Sequence, residues 1–310
     1  MSNSHTPPYL PIVYHPDYLM DIGAHVFRTE KYGLALDILR KEGYAPGAAV
    51  QPPRPATREE LARVHTDVFI SDMEGLKWTP RTMQSELPIS REIVDGFTLM
   101  AGGTILAARL AMEHGVAQHI GGGFHHAFAD HAEGFCYIND IAVGIEALRA
   151  EGNIKRAAVI DTDLHQGNGT AHIYRDDAAV FTFSIHQEHL YPEKQRSNID
   201  IGLDGGTGDE AYLERLSQVV PAALTEHNPD LVVYVAGADP FEEDQLGDLR
   251  LSFDGLRRRD RLVAEACRAN GWRLAAVYAG GYAPDENDTA RIHAGTGIEL
   301  AQAWGIEPRV

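Results

Sequence analysis

The chain has few cysteines and few long apolar runs, and each absence argues against a class of protein. Only Cys136 and Cys267 occur among the 310 residues, too few for a disulfide framework, and we interpret both as inert core residues. No apolar stretch reaches the ~18 residues that a membrane span requires. The first residues also lack the basic and apolar regions of a secretory signal. We therefore expect a soluble, cytoplasmic protein without membrane association.

Positive charge is scarce as well. The sequence holds 27 Lys and Arg against 45 Asp and Glu, which gives a formal net charge of -18. Phosphate binding needs clustered basic side chains, so this composition disfavours nucleic acid as a partner. The acidity either serves solubility alone or steers amine and lysine-rich substrates toward an acidic site, and charge alone does not choose between the two.

Apolar strand-like runs alternate with longer helix-like runs, which is the pattern of an α/β protein with a mostly parallel sheet and crossover helices. No repeat or long linker divides the chain, so we expect a single domain over residues 1–310. Residues 43–60 and 73–90 are rich in Pro, Gly and polar side chains and are predicted to be surface loops. The predicted strands are 10–14, 116–120, 157–161, 180–184, 231–236 and 274–278, and the predicted helices include 32–42, 90–114, 138–150, 209–226 and 255–270.

Four polar motifs each follow one of these predicted strands. They occupy residues 121–126, 161–169, 236–239 and 280–282. Ligands of open α/β sheets bind outside the carboxyl ends of the strands, where motifs that are distant in sequence meet. We therefore expect the four motifs to form one site.

The second and third motifs carry candidate metal ligands. Asp163 and His165 lie two residues apart after a buried strand, and borderline divalent metals such as zinc accept that pair of oxygen and nitrogen ligands. A lone Asp at a strand end is usually a turn or cap residue, but Asp239 could complete the set. Three protein ligands leave a position open for water or substrate, as catalytic zinc requires.

The first and fourth motifs carry candidate proton donors and acceptors. His125 and His126 follow three glycines, and adjacent histidines on a rigid turn cannot easily bind one ion together, so general acid and base roles suit them better. Tyr282 follows two glycines and offers a phenol that could polarise a carbonyl group. Glycine-rich turns that end in an aromatic residue are also common packing features, so this motif is weak evidence alone.

Together these residues resemble the zinc-dependent histone deacetylases and their bacterial relatives. The resemblance covers nearly the whole chain and implies a single-domain, three-layer α/β/α fold of the arginase-deacetylase type. Within the family the chain looks most like the class IV branch, on residues 10–14, 25–27, the side chains Gln166 and Asn168, and 189–192. The family motifs are Gly-Gly-Gly-Phe-His-His at 121–126, Gly-Phe-Cys-Tyr-Ile-Asn-Asp at 134–140, Asp-Thr-Asp-Leu-His-Gln-Gly-Asn-Gly at 161–169, Gly-Ala-Asp at 237–239, Asp-Gln-Leu-Gly at 244–247 and Gly-Gly-Tyr at 280–282.

The resemblance implies that Asp163, His165 and Asp239 bind zinc and that Tyr282 helps zinc to polarise an amide carbonyl. It implies that His126 is the general base and then the general acid, with Asn168 behind it.

His125 would be the electrostatic neighbour of His126, with Asp161 behind it. Many relatives have Asp in place of Asn168, and an amide cannot stabilise an imidazolium as a carboxylate does. We therefore predict that His126 is the less basic of the two histidines.

The resemblance also implies a substrate tunnel and a second ion. Gly134, Phe135 and Tyr191 would line a tunnel for acyl-lysine, with the two aromatic rings gripping the lysine stem. Polyamine-directed relatives carry Glu in place of Leu246, so acyl-lysine in a peptide or protein is the favoured substrate and a small acylated amine is an alternative. The residues implied for a structural potassium ion are Asp161, Asp163, His165, Ser184 and Ile185.

Two other functions fit parts of the same pattern. A two-metal ureohydrolase shares the fold but places further Asp and His ligands for a second ion, whereas Tyr282 and the His125–His126 pair match a one-metal amidohydrolase. A non-catalytic module that binds acyl-lysine would be expected to have lost a ligand, His126 or Tyr282, and all are present. Acetyl, lactyl and fatty acyl groups stay open as substrates, as do the oligomeric state and the use of iron in place of zinc.

Overall fold

The chain folds around one sheet of eight parallel strands. A computed structural model describes residues 7–309. Residues 1–6 and 310 lie outside this range. They include both ends of the predicted domain and the first residues, for which no secretory signal is expected. The strand order is β2-β1-β3-β8-β7-β4-β5-β6. The strands are β1 (Ile12–Val13), β2 (Val50–Gln51), β3 (Val116–His119), β4 (Ala157–Asp161), β5 (Val180–Gln187), β6 (Ile199–Leu203), β7 (Leu231–Val235) and β8 (Arg273–Val277).

Helices cover both faces of this sheet, which confirms the predicted α/β class. One layer contains α5, α6 and α7, and in the other α1, α10, α9 and α8 pack successively against one another. The helices are α1 (Glu30–Lys41), α2 (Arg58–Ala62), α3 (Asp67–Glu74), α4 (Pro80–Met83), α5 (Arg91–His114), α6 (Asp140–Ala150), α7 (Asn168–Tyr174), α8 (Asp209–His227), α9 (Phe253–Asn270) and α10 (Glu286–Ala303).

The central strands β4 and β7 are mostly apolar because both of their faces are covered. Every residue of β4 and β7 is buried. Helix α5 is long and apolar enough to cross a membrane by length and composition, but 78% of its most apolar window is buried inside the protein. It begins where the Ser90 side chain accepts a hydrogen bond from the backbone of Ile93, and it ends at Gly115, whose φ of 92° is left-handed. This helix is therefore a core element.

The six predicted strands and five predicted helices are all present; the strand at 157–161 has the predicted ends, and the ends of the others are shifted. The predicted strand at 10–14 is shorter because only Ile12–Val13 pairs with neighbours, and α6 begins at Asp140 because Asn139 caps it. The loop predictions for 43–60 and 73–90 were partly wrong, because these segments contain β2, α4 and the start of α2. Helix α2 is held by a capping box in which Thr57 and Glu60 each accept a hydrogen bond from the other's backbone.

The topology places the four polar motifs side by side. Strands β3, β8, β7 and β4 are consecutive neighbours in the sheet and all run in parallel. Their carboxyl ends lie on one edge, so the segments that follow them converge there. The register aligns the last residue of β4, Asp161, with Val235 of β7 and Ser184 of β5.

Candidate active site

Three predicted metal ligands meet at this edge. The donor atoms of Asp163, His165 and Asp239 all lie within 4.8 Å of one another, and the three side chains are buried. The His165 Nδ1 atom is 3.2 Å from Asp239 Oδ2 and 3.4 Å from Asp163 Oδ1. Two carboxylate oxygens and one imidazole nitrogen suit a borderline divalent ion such as zinc. The sequence-predicted ligand set is therefore brought together in one place.

Backbone groups hold these carboxylates in position. The Gly280 amide donates to Asp163 Oδ2 over 2.8 Å, and the Leu164 amide donates to Asp239 Oδ1 over 2.9 Å. Each bond joins the segment after one strand to the segment after another. The second oxygen of each carboxylate stays directed toward His165, so the ligand geometry is built by the loops themselves.

Burial and mutual charge shift the pKa values of the ligands. Burial favours the neutral form of His165, but the carboxylates of Asp163 and Asp239 outweigh it and raise its pKa to about 10. Burial and the negative charge of Asp163 raise the pKa of Asp239 to about 6. The cluster therefore attracts positive charge strongly, as a cation site should.

The two histidines of the first motif differ in their partners. His125 Nδ1 lies 2.7 Å from Asp161 Oδ2, and His126 Nδ1 lies 2.8 Å from Asn168 Oδ1. Burial lowers the pKa of His125, but Asp161 and Asp163 reverse this effect and raise it to about 9. Burial lowers the pKa of His126 well below its usual value, and the neighbouring histidines lower it further. The two pKa values therefore fall in the order predicted from the partner types.

A buried polar network fixes the turn that presents these histidines. The Asp140 carboxylate accepts hydrogen bonds from the backbone amides of Gly123 (3.0 Å) and Phe124 (2.7 Å). The Thr104 hydroxyl also donates to this carboxylate, and Thr104 Oγ1 is 3.0 Å from His119 Nδ1. Asp140 is the last residue of the motif at 134–140, but the sequence pattern did not predict its role in holding the turn.

Tyr282 enters the site from the turn after β8. Its backbone amide donates to Asp244 Oδ2 over 2.7 Å, and Gln245 Nε2 donates to its carbonyl over 2.6 Å. Within residues 7–309 its phenol makes no hydrogen bond, while burial raises the pKa of that phenol well above its usual value. The hydroxyl is therefore protonated and free to donate to a bound molecule.

A buried lysine supports this turn, and the sequence interpretation missed it. Lys31 Nζ donates to the carbonyl of Ala279 over 2.9 Å and lies 5.6 Å from the centre of the Tyr282 ring. Burial lowers the pKa of Lys31 to about 8, against the opposing effect of Asp239 and Asp163. A signal was present, because position 31 is in helical phase with the buried Ala35 and Leu39.

Gly134 and Tyr191 lie beside His126, and Phe135 lies beside Tyr282, where a tunnel is predicted. A side chain at Gly134 would come within 2.5 Å of the Tyr191 hydroxyl and 2.7 Å of His126 Cδ2. The Tyr191 ring centre is 5.3 Å from that of His126, and the Phe135 ring centre is 5.9 Å from that of Tyr282. Two aromatic rings therefore border the two candidate catalytic groups.

Phe135 reaches this position through a tight turn. Gly134 and Phe135 have φ values of 48° and 63°, as the central pair of a type I′ turn requires, and Glu133 and Cys136 close it with two backbone hydrogen bonds. Leu246 is half-buried, and its amide donates to Asp244 Oδ1 over 2.9 Å.

The residues predicted for potassium are partly assembled. Asp161 and Ser184 are register partners on β4 and β5, and Ile185 follows Ser184 on β5. The Asp161 Oδ1 atom accepts a hydrogen bond from the Asp163 amide over 3.1 Å, which brings the 161–165 backbone close to that carboxylate. The ion itself stays a prediction.

The similarity to known proteins covers every part of this site. The histone deacetylase domain matches residues 25–296. An uncharacterized protein of Picosynechococcus sp. is 40% identical over 91% of this chain and 95% of its own length. Histone deacetylase 2 of Arabidopsis thaliana is 31% identical over 92% of this chain and 76% of its own length. A crystal structure of an HDAC homolog complexed with SAHA matches 96% of this chain and 85% of its own, with a TM-score of 0.82 and 27% identity.

Proposed function

The chain belongs to the histone deacetylase family, and we propose that it is a zinc-dependent lysine deacylase that hydrolyses the amide of Nε-acyl-lysine in a peptide or protein. One observation carries this proposal: a three-ligand metal cluster lies beside a histidine with a depressed pKa, close to a phenol that has no partner within the described chain. Amide hydrolysis needs an electrophile, a base and an oxyanion donor, and these groups supply all three.

Zinc held by Asp163, His165 and Asp239 would polarise the amide carbonyl and acidify water. His126 Nε2 accepts the proton of the attacking water, because its Nδ1–H is engaged with Asn168. A carbon–oxygen bond forms, and the Tyr282 hydroxyl donates to the carbonyl oxygen as that oxygen becomes negative.

His126 then returns the proton to the lysine nitrogen as the carbon–nitrogen bond breaks. The products are a carboxylate and a free amine. His125 stays paired with Asp161, which compensates charge beside the base.

The residues around the site favour a substrate with an aliphatic stem. Phe135 and Tyr191 offer apolar ring surface beside Tyr282 and His126, and Gly134 leaves room between Tyr191 and His126. Leu246 offers no carboxylate for a distal ammonium group, which supports acyl-lysine over an acylated polyamine. The class IV resemblance extends the proposal from acetyl to lactyl and longer acyl groups.

A substrate panel tests the proposal directly. Zinc-loaded protein is incubated with lysine peptides that carry acetyl, lactyl, octanoyl or myristoyl groups and with an acetylated polyamine, and release is followed by mass spectrometry. Bound metal is counted in parallel, and we expect about one ion per chain, because the described part of the chain contains one such cluster of three ligands. Hydrolysis of a peptide supports the deacylase, whereas cleavage of the polyamine alone would move the assignment to small amines. A zinc-loaded protein that cleaves nothing would contradict the proposal.

A further inference from the structure

Glu133 is connected to the proposed catalytic base, His126, through Asn168. The sequence motifs predicted no role for it. Its Oε1 atom accepts a hydrogen bond from Asn168 Nδ2 over 2.7 Å and another from the Tyr191 hydroxyl over 3.0 Å. Its Oε2 atom is 3.7 Å from His131 Nε2. Because Asn168 Oδ1 faces His126 Nδ1, a continuous chain of hydrogen bonds joins His126, Asn168, Glu133 and Tyr191.

The direction of this chain follows from the chemistry of its members. An ionised carboxylate can only accept hydrogen bonds, so Asn168 must turn its NH₂ group toward Glu133. The amide oxygen then faces His126 and can only accept, so the proton of His126 must be on Nδ1. The Nε2 atom keeps its lone pair, which is the form that a general base requires.

Without Glu133, no carboxylate would fix the orientation of the Asn168 side-chain amide. The oxygen and nitrogen of an Asn side chain are nearly equal in size, so its orientation is decided by its partners. A flipped Asn168 would present NH₂ to His126 and favour the tautomer with its proton on Nε2, which cannot accept a proton from water. An Asp in place of Asn168 would have no such ambiguity, so the need for Glu133 is specific to a chain with an amide here.

Glu133 is itself held firmly. It closes the two-residue turn that presents Phe135, through backbone hydrogen bonds of 3.1 and 2.8 Å with Cys136. Burial favours the neutral form of Glu133, but the nearby His131 and the hydrogen bonds from Asn168 and Tyr191 outweigh it and lower its pKa, so the carboxylate is ionised at neutral pH.

We propose that Glu133 is a positioning residue that sets the tautomer of His126 by fixing the orientation of the Asn168 amide. Through Tyr191 the same carboxylate also holds one side of the substrate tunnel. This inference rests on the proposed deacylase function for its effect on rate, but the tautomer itself is a property of the protein without substrate.

The first test reads the tautomer by NMR. Long-range ¹H–¹⁵N spectra of histidine-labelled protein distinguish a proton on Nδ1 from one on Nε2, and the His126 signals are identified by their loss in His126→Gln. We expect the Nδ1–H form in the wild type and a shift toward Nε2–H in Glu133→Ala and, less completely, in Glu133→Gln. Tyr191→Phe removes the other hydrogen-bond donor to Glu133 Oε1 and should leave the tautomer unchanged.

The second test reads the rate. Glu133→Ala should lower kcat about 10- to 100-fold, the usual effect of removing a group that orients an active-site side chain. Glu146→Ala is a matched control, because Glu146 on α6 also accepts a hydrogen bond from a tyrosine hydroxyl, that of Tyr174 on α7 at 3.2 Å, and neither residue belongs to the proposed site. Equal melting temperatures for the two variants would show that the loss of rate is not a loss of folding.

An exchange of the two groups provides a rescue. Asn168→Asp alone places two carboxylates at hydrogen-bond distance, which is repulsive, and should lower kcat. Adding Glu133→Gln lets the new amide donate to the new carboxylate, so the double variant should recover at least about tenfold over Asn168→Asp.

The outcomes separate this inference from the proposed function. An unchanged tautomer and an unchanged kcat in Glu133→Ala, with an active wild type, would overturn the role of Glu133. A tautomer shift in a protein that hydrolyses no substrate would support the role of Glu133 and reject the deacylase. Failure of the double variant to recover, in an active protein, would also count against the inference.

Discussion

Replacing Tyr282 with Phe is the sharpest test of the proposed mechanism, because loss of the hydroxyl should change the rate of hydrolysis but not the stability of the fold. The phenol makes no hydrogen bond within residues 7–309, so its removal leaves no protein group unpaired and should barely change the free energy of unfolding. If the hydroxyl is an oxyanion donor, its loss should lower kcat by about 10²- to 10³-fold, or roughly 2.7–4 kcal/mol of transition-state stabilisation.

A matched control lies four residues upstream. Tyr278 is fully buried, its hydroxyl has no hydrogen-bond partner within residues 7–309, and its ring stacks on His293 with centres 4.2 Å apart. Tyr278→Phe therefore removes the same atom from the same turn without touching the site, and we expect near wild-type turnover. Both variants are assayed with the best acyl peptide by mass spectrometry and are melted in parallel. A Tyr282→Phe enzyme within about threefold of wild type would refute the oxyanion role.

Three further results are expected. Asp239→Asn should abolish stoichiometric zinc binding. In the wild type, zinc affinity should rise by about one decade per pH unit between the Asp239 pKa of about 6 and the His165 pKa of about 10, because the ion displaces the His165 proton. Calorimetry showing no pH dependence in this range would contradict this. Gly134→Ala should lower activity strongly and should also lower the melting temperature, since Gly134 has a φ of 48° and the added methyl group meets both Tyr191 and the His126 ring. Burial lowers the pKa of His65 to about 4, below its ordinary value. Its contribution to stability is therefore present above pH ~6.5 and is lost as pH falls toward 4, by up to about 1.4 kcal/mol per pH unit. In urea unfolding, the free energy of unfolding of His65→Gln should depend less on pH than that of the wild type.

The convergence of the candidate ligands and the candidate base could be predicted from sequence because each lies in the segment that follows a strand. Parallel strands end at one edge, so position along the chain predicts position in space for Asp163, Asp239 and Tyr282. Lys31 and Glu133 could not be placed in this way. Lys31 contacts the carbonyl of Ala279, 248 residues away, and Glu133 contacts the amide of Asn168, 35 residues away. Their roles therefore depend on partners that no local sequence pattern specifies.

Helix α10 was missed for a related reason. Its buried face includes His293, Thr296 and Glu299, which interrupt the apolar periodicity that marks a core helix. Glu299 is fully buried because Arg257 and Arg261 of α9 approach it at 2.6 and 2.7 Å. A buried carboxylate is tolerated only with such partners, and they lie about forty residues away in the sequence.

The candidate metal site shows how weak local signals become specific when the fold combines them. A carboxylate at a strand end is ordinary while it is solvated, but Asp163 and Asp239 are both buried and their oxygens converge on one imidazole. Their charges raise the pKa of His165 to about 10, which is the electrostatic signature of a place where positive charge is strongly stabilised. A proton and a divalent ion compete for that same stabilisation. The neighbouring strand order that unites the two carboxylates therefore sets both the position of the site and its preference for a cation.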